Sequence, residues 1–211
     1  MKIGVIKQKG GVGASTLARM IAVNYSAAQW NVKIADMDTK QGTSTRWNGR
    51  RLSNEIVPNM NVQQFASVSS AVNQSNDFDL LVFDGAPHSS KQTLEIAKVS
   101  DLVLIPTGTS IDDLEPAILL CHELKAKGIN MDNVYLVFCR VGNSLSELDE
   151  SLQYVKQSRY NYFNTVMYEK TAVRRASDEG KAAIETKFKS INQTNDALLQ
   201  NIVDKLTDLT K

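Results

Sequence analysis

Five apolar runs, Ile3–Ile6, Val32–Ala35, Leu80–Phe83, Leu102–Ile105 and Val134–Phe138, and a weaker one at Val62–Phe65, alternate with stretches of helical length. The runs are continuous rather than alternating, which is the pattern of strands covered on both faces. They predict a mostly parallel sheet. Ser15–Gln29, Ser89–Val99, Ile111–Lys127 and Leu145–Ser158 are the predicted intervening helices. In the last of these Leu145, Leu148, Leu152 and Val155 share one face, and Ser144 with Glu147 forms a capping box. Ser110 with Asp113 gives a similar start signal for the preceding helix. The polar stretch Ser67–Asp77 has room for one short helix with its turns. Strand–helix–strand alternation of this kind predicts a doubly wound α/β fold flanked by helices, with right-handed crossovers. Its ligand belongs beyond the C-terminal strand ends. No linker, low-complexity tract or repeat divides the chain, so residues 1–211 read as a single domain.

Composition narrows the classes. Of 211 residues, 42% are hydrophobic and 22% charged, which excludes a disordered or fibrous chain. Lys+Arg 24 against Asp+Glu 23 leaves +1, which excludes a constitutive polycation but not a conditional binder with a local basic patch. No apolar run approaches the roughly 20 residues of a membrane span. The N-terminus enters a strand pattern without a signal-peptide core. Cys121 and Cys139 sit in apolar segments and read as buried free thiols of a reducing, cytoplasmic protein.

The candidate chemistry begins where the first strand runs into Lys7-Gln8-Lys9-Gly10-Gly11-Val12-Gly13-Ala14-Ser15-Thr16. Glycines at 10, 11 and 13 allow a tight turn that aims consecutive N–H groups at an anion, and the helix that follows adds its positive end. The Ser15 hydroxyl is placed to ligate Mg²⁺ and Thr16 to reach an α-phosphate oxygen. One position departs from a P-loop. Where a lysine clamps the β- and γ-phosphates, this chain has Ala14.

KGGVGxST resembles the deviant Walker A motif, KGGxGK[ST], of the ParA/MinD family of P-loop ATPases. The resemblance covers most of the chain and is strongest over residues 1–45 and 78–110. It implies an ATPase that binds ATP/ADP through Gly10, Gly11, Val12, Gly13, Ala14, Ser15 and Thr16. It makes Lys9 the signature lysine that reaches the partner's phosphates across a nucleotide-dependent homodimer. Asp36-Met37-Asp38 matches the two acids of the family's DxDPQ, and the resemblance gives Asp38 the attacking water; Thr39-Lys40-Gln41 departs from it. Side chains two apart at a strand end point the same way, so Asp36 and Asp38 are expected to share one site. Asp84, closing the apolar run Leu80–Phe83, matches the Walker B acid and would hold Mg²⁺ through a water. Gly85 is expected to let the backbone approach the γ-phosphate. Arg140 falls where the family contacts base or ribose.

Small ParA-type proteins dimerise on ATP, bind DNA without sequence preference and segregate plasmid or chromosomal DNA. A centromere-binding or adaptor protein stimulates their hydrolysis. By that analogy Arg174 and Arg175 are the DNA-binding candidates, within Met167–Ser190, where six basic residues face four acids. Lys40, Arg46, Arg50 and Arg51 form a second basic stretch. The chain starts at the P-loop strand, which argues against an operator-binding extension, and nucleoid association is expected only with ATP. The last amphipathic helix, Ile191–Leu209, carries acids opposite its apolar face and is expected to pack on the domain rather than bind membrane. Losing the lysine clamp, a contact of about 1.5–3 kcal/mol, predicts weak ATP binding and poor hydrolysis. The intact remainder of the loop fits a deliberate Lys→Ala replacement better than drift. The alternative is a nucleotide-binding scaffold or pseudo-ATPase, with Ala14 native, in conjugation or cargo positioning.

Overall fold

The computed structural model describes residues 1–88 and 90–211, without the side chain of Ser90. The strands are β1 (Lys2–Val5), β2 (Val32–Asp36), β3 (Asn61–Gln64), β4 (Leu80–Asp84), β5 (Leu102–Thr107), β6 (Val134–Val141), β7 (Asn161–Tyr162) and β8 (Met167–Tyr168). Their order is β3-β2-β4-β1-β5-β6-β7, with β8 also paired to β6, and every pairing is parallel. The continuous apolar runs are therefore the central strands, and each of β2, β4 and β5 is buried along its whole length.

Helices cover both faces: α1 (Ala14–Ala27), α2 (Thr43–Ser53), α3 (Val68–Val72), α4 (Ser90–Val99), α5 (Ile111–Ala126), α6 (Leu145–Ser158), α7 (Thr171–Asp178) and α8 (Lys189–Thr210). One core joins α1 and α8 to the sheet through Leu17, Ile21, Leu198, Ile202 and Leu206. The other packs Ile96 of α4, Leu120 of α5 and Val155 of α6 against Leu81, Phe83 and Phe138. The apolar stripe of α8 is thus spent on the domain core. No helix among the described residues is long and apolar enough to cross a membrane. Cys121 and Cys139 are free and buried.

The local expectations meet different outcomes. Ser144 Oγ accepts from Glu147 N at 3.3 Å, as a cap should, but the Ser110 side chain makes no cap bond; its carbonyl accepts from Asp113 N instead. The segment Ser67–Asp77 holds α3 and a separate 3-10 turn. The first residue of the helix expected from Ser89 lies outside the described residues.

β1 feeds α1 and then β2 on one side, whereas β4 feeds α4 and then β5 on the other. The chain reverses between adjacent strands β1 and β4, so their C-terminal ends open a crevice at a topological switch point.

Candidate nucleotide site

A cleft of about 550 Å³ lies at that crevice. Gly10, Gly11, Gly13, Ala14, Ser15 and Thr16 line one side, and Asp38 and Gln41 another. Gly13 makes the turn: its φ of +89° lies in the left-handed region, and a Cβ there would stand 3.0 Å from Cys139 Cβ. The helix starts one residue later, so the first N–H groups of α1 have no helical acceptor and face the cleft. That is an anion site built from backbone alone. Val12 is buried, and its side chain does not line the cleft.

Behind the loop, Asp84 is 2% exposed. Its Oδ1 accepts from Ser15 Oγ at 3.1 Å and its Oδ2 from Ser44 Oγ at 2.7 Å. A hydroxyl beside a carboxylate, facing a phosphate-sized space, suits Mg²⁺, which takes one or two side-chain ligands and fills its shell with waters and phosphate oxygens. The Lys7 ammonium stands 3.5 Å from Asp84 Oδ1, and the side chain of Lys7, 9% exposed, borders the same cleft. Arg19 lies deeper. Its Nε donates to Ser44 Oγ at 3.0 Å and its Nη1 to Ser177 Oγ at 3.2 Å. Its Nη2 is buried without a hydrogen-bond partner among the described residues. Burial lowers the Arg19 pKa to about 10, against the pull of Asp84.

The two acids of the second strand separate. β2 ends at Asp36, so Asp38 already belongs to the loop and the strand alternation no longer governs it. Asp36 is fully buried. Its Oδ2 accepts from both the N–H and the hydroxyl of Thr45 at 2.9 Å, doing for α2 what an N-cap side chain does. Burial raises its pKa, against the hydrogen bonds from Thr45 and with the repulsion of Asp84. Asp38 faces the cleft, and its Oδ1 accepts from Lys40 N and Gln41 N at 3.2 and 3.0 Å. A Cβ on Gly85 would stand 2.9 Å from the Val5 carbonyl, so its packing against β1 also requires glycine there.

At the rim, Arg140 Nη1 donates to the Gly11 carbonyl at 2.5 Å and its Nε to Glu169 Oε2 at 2.7 Å. Arg174 pairs with the other oxygen of Glu169 and lines the cleft, whereas Arg175 is exposed and does not line it. Adjacency in sequence thus hides two different environments. Lys9 leaves the cleft altogether, and its ammonium pairs with Asp113 Oδ1 at 2.7 Å. Of the second basic stretch, Arg51 is fully buried: it forks onto Glu185 at 2.7 and 2.9 Å and packs over Trp47, so it offers no charge to a ligand.

These features define a P-loop nucleotide-binding protein with parallel-sheet topology. Residues 3–184 match the model of the CobQ/CobB/MinD/ParA nucleotide binding domain, and the chain belongs to that family. No curated protein sequence matches it significantly. Among solved structures it is similar to septum site-determining protein MinD of Pyrococcus horikoshii OT3 complexed with Mg-ADP, at TM-score 0.73 and 15% identity over 100% of this chain and 98% of that one. It is also similar to apo McdA of Cyanothece, at TM-score 0.70 and 16% identity over 100% and 99%. A plasmid partition protein of Borrelia burgdorferi B31 bound to AMPPNP gives TM-score 0.68 and 17% identity over 95% and 98%. Identities this low carry the fold alone, and the fold is that of the MinD/ParA P-loop NTPases.

Sequence reading missed Lys7, Arg19 and Ser44. Lys7 was the one with a visible signal, as a charge placed between a buried strand and the glycines.

Proposed function

We propose that the chain is a ParA-like ATPase that binds Mg-ATP, pairs with a second copy, binds DNA without sequence preference and segregates plasmid or chromosomal DNA. A partner protein stimulates its hydrolysis. The observation that carries this is the cleft at the β1/β4 switch point, where Ser15 and Asp84 meet at 3.1 Å under a glycine loop and Asp38 faces them. Backbone N–H groups of residues 10–16 bind the phosphates. Ser15 and Asp84 hold Mg²⁺, Asp84 through a water, and the metal supplies charge neutralisation at the phosphates. Asp38 orients the attacking water, its carboxylate fixed by two backbone N–H groups. Arg140 borders the base or ribose end.

Lys9 is the cation offered to the second copy. Its bond to Asp113 is exposed and so weak enough to be exchanged for a phosphate. Pairing doubles the exposed basic surface, and affinity for DNA climbs steeply with each phosphate neutralised. Arg175 is the first contact; Arg174 joins only when released from Glu169. The expected residence is cytoplasmic, with nucleoid association when ATP is bound. Position 14 taken alone makes this a weakened hydrolase, and the size of the defect turns on which other cation reaches the phosphates. A nucleotide-binding scaffold in conjugation or cargo positioning is the second reading, favoured by the alanine itself.

Sedimentation and DNA retention with Mg-ATP, Mg-ADP and no nucleotide test the proposal. Dimerisation and retention only with ATP are expected. Equal retention in all three conditions would overturn the gated binder.

A further inference from the structure

Lysine is almost never buried without a reason, because its ammonium must leave water. Lys7 is 8% exposed at the mouth of β1, and the only ion partner of its ammonium among the described residues is Asp84, at 3.5 Å. No hydrogen bond to that ammonium is found among the described residues, although it has three N–H donors to place. Asp84 Oδ1 is also the oxygen that accepts from Ser15 Oγ. The ammonium therefore stands one carboxylate oxygen away from the hydroxyl at the head of α1. Lys7 borders the cleft together with Gly10, Gly13 and Ala14.

Ala14 is the complement of this arrangement. The residue is 3% exposed and belongs to the core cluster with Ile3, Val5 and Leu17. Of the other cations that line the cleft, Arg140 and Arg174 are paired with Glu169 at the rim, and Arg19 keeps only Nη2 without a partner among the described residues. Lys9 is drawn out of the cleft by Asp113, and two of the three guanidinium nitrogens of Arg19 are already held by Ser44 and Ser177.

We infer that Lys7 is the phosphate-clamping cation of this chain, entering the site from the end of β1 in place of the lysine missing at position 14. Ala14 and Lys7 then form a matched pair, and the alanine is a native feature of a working site. The inference rests on the ATP-binding reading above. Asp84 holds the ammonium at the cleft until polyphosphate arrives. The ammonium then moves onto the phosphate oxygens, leaving Asp84 to the metal's water.

Binding of Mg-ATP, Mg-ADP and AMP is measured by calorimetry for the unaltered chain, Lys7→Met, Ala14→Lys and the double variant. Lys7→Met is expected to weaken Mg-ATP about ten- to a hundredfold, the worth of a charge-assisted contact, and AMP less than about threefold. Ala14→Lys in the unaltered background should gain less than about fivefold, because its charge meets one already present. The double variant should recover most of the affinity for Mg-ATP. Unchanged Mg-ATP binding by Lys7→Met overturns the inference while leaving the ATPase reading intact. An equal loss for Mg-ATP and AMP, or unfolding of both Lys7→Met chains, also overturns it and makes Lys7 a structural residue. Failure of the unaltered chain and Ala14→Lys alike to bind any adenine nucleotide sinks the ATPase reading, and the inference with it.

Discussion

At the inner wall of the cleft Asp84 is 2% exposed and takes hydrogen bonds from two hydroxyls, with an ammonium 3.5 Å away. At the rim Glu169 is held between Arg140 and Arg174, whose side chains are 50% and 59% exposed. Both carboxylates are paired, but only the inner one is enclosed by protein. Burial makes the inner pair costly to break, since either partner left alone is a charge without solvent. The rim pairs are screened by water and salt, so they are cheap to form and cheap to exchange. The wall is a fixed template, and the rim is a fastening that a ligand can undo.

The sharpest way to break this comparison is Asp84→Ala, which strands Lys7 and two hydroxyls. It should cost about 3–5 kcal/mol in urea unfolding and remove the magnesium dependence of nucleotide binding. A loss under about 1 kcal/mol would mean that the wall is as solvated as the rim. Asp38→Ala lies between the two regions. It should lower the rate of phosphate release about a hundredfold while Mg-ATP affinity stays within about threefold, if its part is the proposed one of orienting water. Asp36→Ala removes the acceptor for both Thr45 donors and should cost about 1–2 kcal/mol in thermal unfolding without changing nucleotide preference. Glu169→Gln at the rim should shift stability by less than about 1 kcal/mol, and the shift should shrink further in high salt.

Acid separates the two regions by sign. Burial pushes Glu169 up, but the hydrogen bond and charge of Arg140, with Arg174, pull harder, and its pKa lies below the ordinary 4.5. Its contribution to stability is complete above the ordinary value and is lost as pH falls through the lowered one. Asp36, raised above the ordinary 3.8 chiefly by burial, does the reverse: its contribution is complete at low pH and is lost as pH rises through the raised value. Carboxyl NMR titration should place the two midpoints on opposite sides of their ordinary values.

The fold and the phosphate loop were legible because they are local. β2, β4 and β5 are continuous apolar runs, and the glycine turn lies between a strand and a helix in one stretch of chain. α2 was not legible, since it is polar, carries Gly49, and is held by partners far away in sequence. Arg51 reaches Glu185, and Trp47 Nε1 donates to the Lys181 carbonyl at 3.0 Å. β7 and β8 are two residues each, too short for any periodicity. The inner cations failed for the same reason as α2. Lys7 and Arg19 look like ordinary charges beside apolar residues until the fold brings Asp84 and Ser44 to them. Asp36 and Asp38 were read together because strand alternation was carried two residues past the end of β2.

A sheet with every strand parallel has two chemically unlike ends, and only one carries the cleft. At the other end lie the turns around Ala28–Asn31, Asn73–Asp79 and Lys127–Asn130. Lys127 there is exposed. Burial pushes the Cys121 thiol up to about 12 and the Cys139 thiol higher still, so neither native sulfur is a ready nucleophile at neutral pH. A single cysteine at position 127 should therefore take a fluorescent dye selectively, leaving the cleft unmarked. The polarity of the sheet thus separates a labelling position from the nucleotide cleft by the length of the strands.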